Sequence, residues 1–334
     1  MNRRHIGTFL KVLPIVGFFV ILLYLSQCNM SDNCRPCRET RDKPNGVQNH
    51  ESHKEPSATS DYNKIKTFLV VMIMTGPHNT DRRTAIRQTW LSSYPEDILP
   101  RFVIGVAGLG DGERDVLQAE QMQYDDLLLL EELIDSYKSL TRKLLLMYSW
   151  LDQNVDFTFV LKADDDTFAR LDILSEELRS MQPDRLCWGF FDGRAKAKKT
   201  TKWAEPDWKL CDHYLPYALG GGYVLSSDLV HYVARNMEYL KIYNNEDVSL
   251  GAWLASVDVN RIHDTRFDTE YRSRGCNNAY IVTHKQAPEL MYEKHKQLVT
   301  HDRLCEQEVQ VRKSYNYDWN KPPSQCCVRE MGIP

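Results

Sequence analysis

The sequence predicts an α/β protein with a mainly parallel central sheet, carried on an N-terminal membrane anchor. Two patterns predict this: apolar runs typical of buried strands alternate with amphipathic helical segments, and residues 6–25 form one long apolar stretch. The 334 residues carry 42 basic and 46 acidic side chains, which gives a formal net charge of −4. That balance excludes a strongly basic nucleic-acid binder, so no nucleic-acid partner is expected.

The N-terminal segment is predicted to anchor the protein in a membrane. Residues 6–25 are apolar except for Lys11 and are long enough to span the hydrocarbon core as a transmembrane signal anchor. Arg3 and Arg4 lie in the preceding tail, residues 1–5, and the positive-inside rule keeps that tail cytoplasmic. A cleaved signal peptide is the alternative interpretation of the same run. Either way, the rest of the chain enters the secretory pathway.

A flexible luminal stem is predicted over residues 26–62, because this polar, proline-containing segment cannot bury enough apolar area to offset the entropy of ordering it. The folded luminal domain then covers residues 63–334. Six of the nine cysteines follow residue 186. In an oxidising compartment two or three disulfides are expected among them, and the sequence leaves the pairing open.

Periodicity predicts the elements of the folded domain in chain order. Short apolar runs indicate strands, whereas apolar residues spaced three and four apart indicate helices. Thr80 can cap the first helix. The predicted strands cover residues 67–74, 102–107, 126–130 and 157–161, and the predicted helices cover residues 84–91, 111–123, 136–152 and 248–255.

Three adjacent acidic residues, Asp164, Asp165 and Asp166, follow the fourth predicted strand. In sheets of this kind, ligands bind beyond the carboxyl ends of the strands. Adjacent carboxylates repel one another, and a divalent cation that also binds substrate phosphates would relieve the repulsion. A solvated turn or a helix cap is the alternative interpretation.

A run of three glycines, Gly220 to Gly222, is expected between two apolar strands. Glycine permits a close approach of the backbone to a ligand. The run is not the spaced glycine pattern of dinucleotide-binding folds, so that fold class is not supported.

Six segments in a fixed order make the chain resemble the β1,3-glycosyltransferase family, which includes the β1,3-galactosyltransferases and Fringe. The resemblance implies a nucleotide-sugar transferase domain of the GT-A type. The segments are RRTAIRQTW (82–90), DSYKSLTRK (135–143), VLKADDD (160–166), LPYALGGGYVLS (215–226), NNEDVSLGAWL (244–254) and YIVTHK (280–285).

The resemblance also implies roles for individual residues. Asp164 and Asp166 match the family's metal-binding motif, and His284 matches its metal histidine; a lone histidine is otherwise more often a structural hydrogen-bonding residue. Asp247 matches the family's general base, with Glu246 as the rival candidate. Acidic residues at the start of a helix are also explained by the helix dipole, and the two interpretations are compatible.

Further residues match family positions near the nucleotide of the donor, UDP-galactose. The expected donor contacts are Arg87, Asp135, Tyr137, Lys143, Asp164 and Asp165.

Two segments near the C-terminus, residues 266–276 and 317–327, resemble the branch of the family that builds the proteoglycan linkage region. This implies an inverting transfer of galactose from UDP-galactose to O3 of the galactose in Galβ1,4-xylose on a core protein. It further implies Mn²⁺ as cofactor, a single-pass type II position in the Golgi membrane, and association with other Golgi glycosyltransferases. A family member with another donor or acceptor, such as UDP-GlcNAc, is the main alternative, and a non-catalytic lectin-like receptor is a second.

Overall fold

The computed structural model describes residues 64–334, which belong to one compact unit. The predicted tail, anchor and stem lie outside the described residues. Within residues 64–334, every helix is too short or too polar to cross a bilayer.

A seven-stranded sheet forms the centre of the domain, in the order β3-β2-β1-β4-β7-β6-β8. The strands β3, β2, β1 and β4 are mutually parallel, and β7 runs antiparallel to both of its neighbours, β4 and β6. The sheet is therefore mixed but mainly parallel, as predicted. Its strands are β1 (Ile65–Met74), β2 (Ile98–Gly105), β3 (Leu127–Leu130), β4 (Val155–Asp164), β6 (Leu186–Asp192), β7 (Tyr217–Ser226) and β8 (Asn260–His263).

Helices cover both faces of the sheet. The chain moves outward from β1 through β2 to β3 and then returns to β4, which lies on the other side of β1. Because crossovers between parallel strands are right-handed, α1 and α2 lie on one face of the sheet and α3 lies on the opposite face. Consistent with this, α3 packs against α5 and α6, and α1 packs against α7. The helices are α1 (Thr80–Gln88), α2 (Asp111–Tyr124), α3 (Leu140–Asn154), α4 (Leu171–Ser180), α5 (Ser227–Arg235), α6 (Glu246–Trp253) and α7 (Pro288–His301).

Three elements begin earlier or end later than the sequence predicts. The strand β2 begins at Ile98, before the apolar run, because the residues from Ile98 onward pair in register with β1. Helix α1 begins at Thr80 itself, one turn before its predicted start. The strand β4 continues to Asp164, because its last residues still pair with the end of β1.

A small three-stranded sheet lies beside the central one, in the order β5-β11-β9. Its strands are β5 (Thr167–Ala169), β9 (Phe267–Asp268) and β11 (Val282–His284). The antiparallel pairing of β11 with β5 sets His284 opposite Thr167. This pairing brings a residue from late in the chain to the turn that follows β4.

Two disulfides are present among residues 64–334. They join Cys276 to Cys305 and Cys326 to Cys327. Cys187 is buried and free, and Cys211 is exposed and free. A two-stranded ribbon of β10 (Gly275–Cys276) and β12 (Val309–Gln310) lies next to the first disulfide.

Candidate active site

Two carboxylates and one imidazole meet at the carboxyl end of β4. Asp164 is the last residue of β4, Asp166 lies in the turn into β5, and His284 ends β11. Nε2 of His284 lies 2.8 Å from Oδ1 of Asp166 and 3.4 Å from Oδ2 of Asp164. One ligand atom from each residue falls within 4.8 Å of the others. Two carboxylate oxygens and an imidazole nitrogen are a donor set that suits a divalent transition-metal ion such as Mn²⁺.

The electrostatics of this cluster fit a cation. Burial lowers the pKa of His284, but hydrogen bonds and charges from Asp164 and Asp166 outweigh it and raise the pKa to about 9. The ammonium of Lys285 lies 2.9 Å from Nε2 of His284 and 3.2 Å from Oδ2 of Asp166. The negative charge of Asp164 and Asp166 is therefore balanced here by positive groups of the protein itself, His284 and Lys285.

Asp165, the middle residue of the acidic triplet, faces away from the other two. Its Oδ2 accepts hydrogen bonds from Oγ1 of Thr75 and Nδ2 of Asn79, both at 2.7 Å, and its Oδ1 lies 3.3 Å from Nη1 of Arg82. Thr75 follows β1, and Asn79 and Arg82 belong to the start of α1. Asp165 thus joins the end of β4 to the β1–α1 connection.

Asp247 and Glu246 form the first turn of α6 and are held on the other side of the site. Oδ2 of Asp247 accepts the backbone N–H of Gly220 at 3.0 Å, and Oδ1 accepts the N–H of Val248 at 2.8 Å. Burial raises the pKa of Asp247. A carboxylate with a raised pKa, fixed by two backbone donors at a helix start, is suited to accept a proton.

The buried ammonium of Lys162 connects the two sides. It donates to Oδ1 of Asp164 at 2.7 Å, to the carbonyl of Gly220 at 2.5 Å and to Oε1 of Glu246. These three acceptors use all three N–H groups of the ammonium. Because Gly220 also donates its N–H to Asp247, the cluster at β4 and the start of α6 are linked through one residue of β7.

The glycine run lies inside β7 and not between strands, which corrects the sequence-based expectation. Side chains from other elements fill the space beside it. A Cβ atom on Gly220 would lie 2.6 Å from Oε1 of Glu246, and one on Gly221 would overlap the ring of His284. The three glycines therefore permit the close packing of α6 and β11 on β7.

The Galactosyltransferase family matches residues 81–265, more than half of the chain. The chain belongs to this family. It is 57% identical over 278 residues to beta-1,3-galactosyltransferase 6 of Mus musculus, covering 81% of this chain and 86% of that protein. It is 35% identical to UDP-GalNAc:beta-1,3-N-acetylgalactosaminyltransferase 2 of Danio rerio, over 46% of this chain and 31% of that protein. It is 28% identical to a hydroxyproline O-galactosyltransferase of Arabidopsis thaliana, over 61% of this chain and 64% of that protein.

These matches confirm the predicted enzyme class, a galactosyltransferase. The resemblance to Fringe and the roles of individual residues stay predictions.

Two of the predicted donor contacts of this galactosyltransferase, Asp135 and Lys143, lie beside the ends of β2 and β1, and a third, Tyr137, lies against the start of α6. Asp135 follows β3, and its Oδ2 accepts from Nζ of Lys143 at 2.5 Å and from the N–H of Gly105 at 3.0 Å. Lys143 also donates to the carbonyl of Thr75 at 2.6 Å. Tyr137 donates its hydroxyl to Oδ1 of Asn245 at 2.9 Å, which places it against the residue before α6.

Arg87 is a predicted donor contact that the structure holds away from the cluster. Its guanidinium makes a two-bond contact with Asp126 at 2.8 Å and a third bond to Glu120, and it lies over the rings of Phe102 and Tyr124. These partners already engage it in a structural network. Arg82, five residues earlier on α1, reaches the acidic triplet instead.

Sequence reasoning did not select Lys162 or Lys285. A signal for Lys162 was available, because it is the one charged residue within the apolar run of β4. Residues two apart on a strand point to the same face, so Lys162 had to share a face with Asp164. Lys285 gives no such signal, since it becomes part of the site only when β11 pairs with β5.

Proposed function

We propose that the chain is a metal-dependent, inverting β1,3-galactosyltransferase that uses UDP-galactose. The observation that carries this is the 57% identity to beta-1,3-galactosyltransferase 6 over 81% of the chain. The cluster of Asp164, Asp166 and His284 at the end of β4 supports it, because such a site suits a metal that holds a nucleoside diphosphate. The mixed sheet with this cluster at one strand end also supports a GT-A-type fold.

The proposed acceptor is the galactose of Galβ1,4-xylose in the linkage region of a proteoglycan. Support comes from the resemblance of residues 266–276 and 317–327 to the branch that acts there. The enzyme would act on a galactosyl-xylosyl core protein in the Golgi lumen as a type II membrane protein, beside other Golgi glycosyltransferases. The apolar run at residues 6–25 supports the membrane anchor.

In the proposed transfer step, Asp247 acts as the general base. Asp247 removes the proton from O3 of the acceptor galactose, and that oxygen attacks the anomeric carbon of the donor galactose. The bond from this carbon to the phosphate oxygen breaks on the opposite side, and UDP leaves with the electron pair. One displacement inverts the α-linkage of the donor to a β-linkage in the product. When Mn²⁺ is bound by Asp164, Asp166 and His284, it neutralises charge on the diphosphate.

A panel of UDP-sugars assayed against a galactosyl-xylose glycoside tests the function. UDP-galactose should be the preferred donor, the product should carry a β1,3 linkage, and excess chelator should abolish transfer until Mn²⁺ is restored. Preference for UDP-GalNAc or UDP-GlcNAc would replace the donor assignment. Full activity in chelator would contradict the metal site.

A further inference from the structure

A basic loop, residues 194–213, lies between β6 and β7. It contains six basic side chains and only two exposed acidic ones, Asp207 and Asp212, in a protein whose net charge is −4. Among the described residues, none of its five lysines forms an ion pair with a carboxylate, so their charges are not neutralised within the domain. The six side chains, all exposed, belong to Arg194, Lys196, Lys198, Lys199, Lys202 and Lys209.

The lysines point outward because the alternate residues are held inward. Ala195 and Ala197 pack against a second apolar cluster that includes Trp208 and Tyr214. The backbone N–H of Lys198 donates to the hydroxyl of Tyr214 at 2.8 Å. The loop is therefore an ordered surface that presents Lys196 and Lys198 to solvent, with Lys199 beside them.

Hydrogen bonds connect the same loop to the start of α6, the helix that contains Asp247. The buried carboxylate of Glu205 accepts the backbone N–H of Asn244 at 2.9 Å and that of Asn245 at 2.6 Å. In return, Asn245 donates its side-chain amide to the carbonyl of Trp203 at 3.1 Å. The basic surface is thus fixed through residues that lie two and three positions before Asp247.

We propose that the basic loop binds an acidic stretch of the polypeptide that carries the acceptor sugar. The proposal rests on the proposed function, because it needs an acceptor glycan attached to a protein. An acceptor hydroxyl must reach Asp247, so the polypeptide beyond its glycan passes near the loop that is attached to this helix. Clustered lysines without carboxylate partners attract the opposite charge and steer an acidic chain toward the site.

A membrane surface is a poorer fit for the same charges. A loop that lies flat on lipid would close the face on which Asp247 receives its acceptor. The donor diphosphate is a poorer fit as well, because its proposed position is the cluster of Asp164, Asp166 and His284.

The test compares three acceptors in the full-length enzyme: a free galactosyl-xylose glycoside, the same glycan on an acidic peptide, and the glycan on a peptide with Asn and Gln in place of Asp and Glu. The triple variant Lys196→Gln, Lys198→Gln, Lys199→Gln should raise KM for the acidic glycopeptide roughly tenfold, as expected for several exposed charge contacts. The wild-type preference for the acidic peptide should weaken with salt. KM for the other two acceptors should not change.

Two further variants serve as controls. The first control replaces the same three lysines with arginine, Lys196→Arg, Lys198→Arg, Lys199→Arg; it keeps the charges and should keep the low KM. An unchanged KM for the free glycoside shows that the glutamine variant is folded. The second control removes the same amount of charge elsewhere on the surface: Lys66→Gln at the start of β1, Lys296→Gln on α7 and Arg303→Gln just after α7. This variant should keep the preference for the acidic glycopeptide.

An equal rise in KM for all three acceptors, or no rise for the acidic one, would overturn this proposal alone. No transfer by the wild type to the free glycoside would overturn the proposed function, and the proposal would fall with it.

Discussion

Lys162 is a buried charged side chain that joins the two sides of the site. It is 1% exposed, and its ammonium is shared by Asp164, Gly220 and Glu246. Removing one partner of a buried ion pair leaves the other charge buried without compensation. Lys162→Met should therefore lower the free energy of unfolding by about 3–5 kcal/mol. Chemical denaturation measures this, with exposed Lys66→Met as the control. An unchanged unfolding midpoint would show that the pair is dispensable.

Asp247 should carry the proton transfer. Asp247→Asn keeps the shape of the side chain but removes the proton acceptor, so kcat should fall by about 10²–10⁴-fold. Binding of UDP in the presence of Mn²⁺ should change little, because the cluster at β4 is intact. Steady-state kinetics measure the fall in kcat, and calorimetry measures the binding of UDP. Glu246→Gln should retain more activity than Asp247→Asn, and the reverse order would assign the base to Glu246.

His263 should make stability depend on pH. Its Nδ1 accepts the N–H of Phe191 at 3.1 Å and its Nε2 donates to the carbonyl of Tyr315 at 2.9 Å, so the half-buried ring is neutral. Burial lowers its pKa from 6.5 to about 4. Between these two values the unfolded chain binds the proton and the folded protein does not, so this residue makes stability fall as pH falls from about 6.5 to 4.

Unfolding free energies measured from pH 7.5 to 4 check this. His263→Gln should show a shallower loss over that window, whereas exposed His78→Gln should follow the wild type. Parallel curves for His263→Gln and the wild type would refute the assignment.

At the scale of elements, β7 is the strand on which the site is assembled. Helix α6 packs on it through Gly220 and β11 through Gly221, where the ring of His284 occupies the space that a side chain would need. Gly221→Ala should displace His284 and so weaken Mn²⁺ binding and transfer together.

Metal titration of the folded variant checks the prediction for Gly221. Gly112→Ala in α2 is the matched control, since a Cβ there meets no atom within 4 Å and alanine is the better helix former. Normal metal affinity in Gly221→Ala would contradict the packing argument.

At the scale of the whole molecule, residues 64–334 hold the site and its supporting sheet within one compact unit. A chain that starts at residue 64 behind a cleavable signal peptide should therefore be secreted, folded and active. Transfer to galactosyl-xylose by the secreted protein measures this, with the full-length membrane form as the reference. Activity confined to the full-length form would show that the anchor or stem contributes to the catalytic unit.

The sequence by itself determined the alternation of strands and helices and the family. Local periodicity encodes elements, which is why β1 and α2 were predicted nearly to their ends. The acidic triplet was also recognisable, because three adjacent carboxylates at a strand end are unfavourable unless something positive is near.

The tertiary structure decided which of those residues meet. Asp165 turns away from the cluster, Arg87 is held by Asp126 and Glu120, and Lys162 joins the two sides of the site. Strand pairing over long sequence separation, such as β11 with β5, brings His284 to Asp166. The alternation of side chains along β4, which puts Lys162 on the face of Asp164, was local. Long-range pairing depends on the packed sheet and not on neighbours in sequence, so no local pattern could predict it.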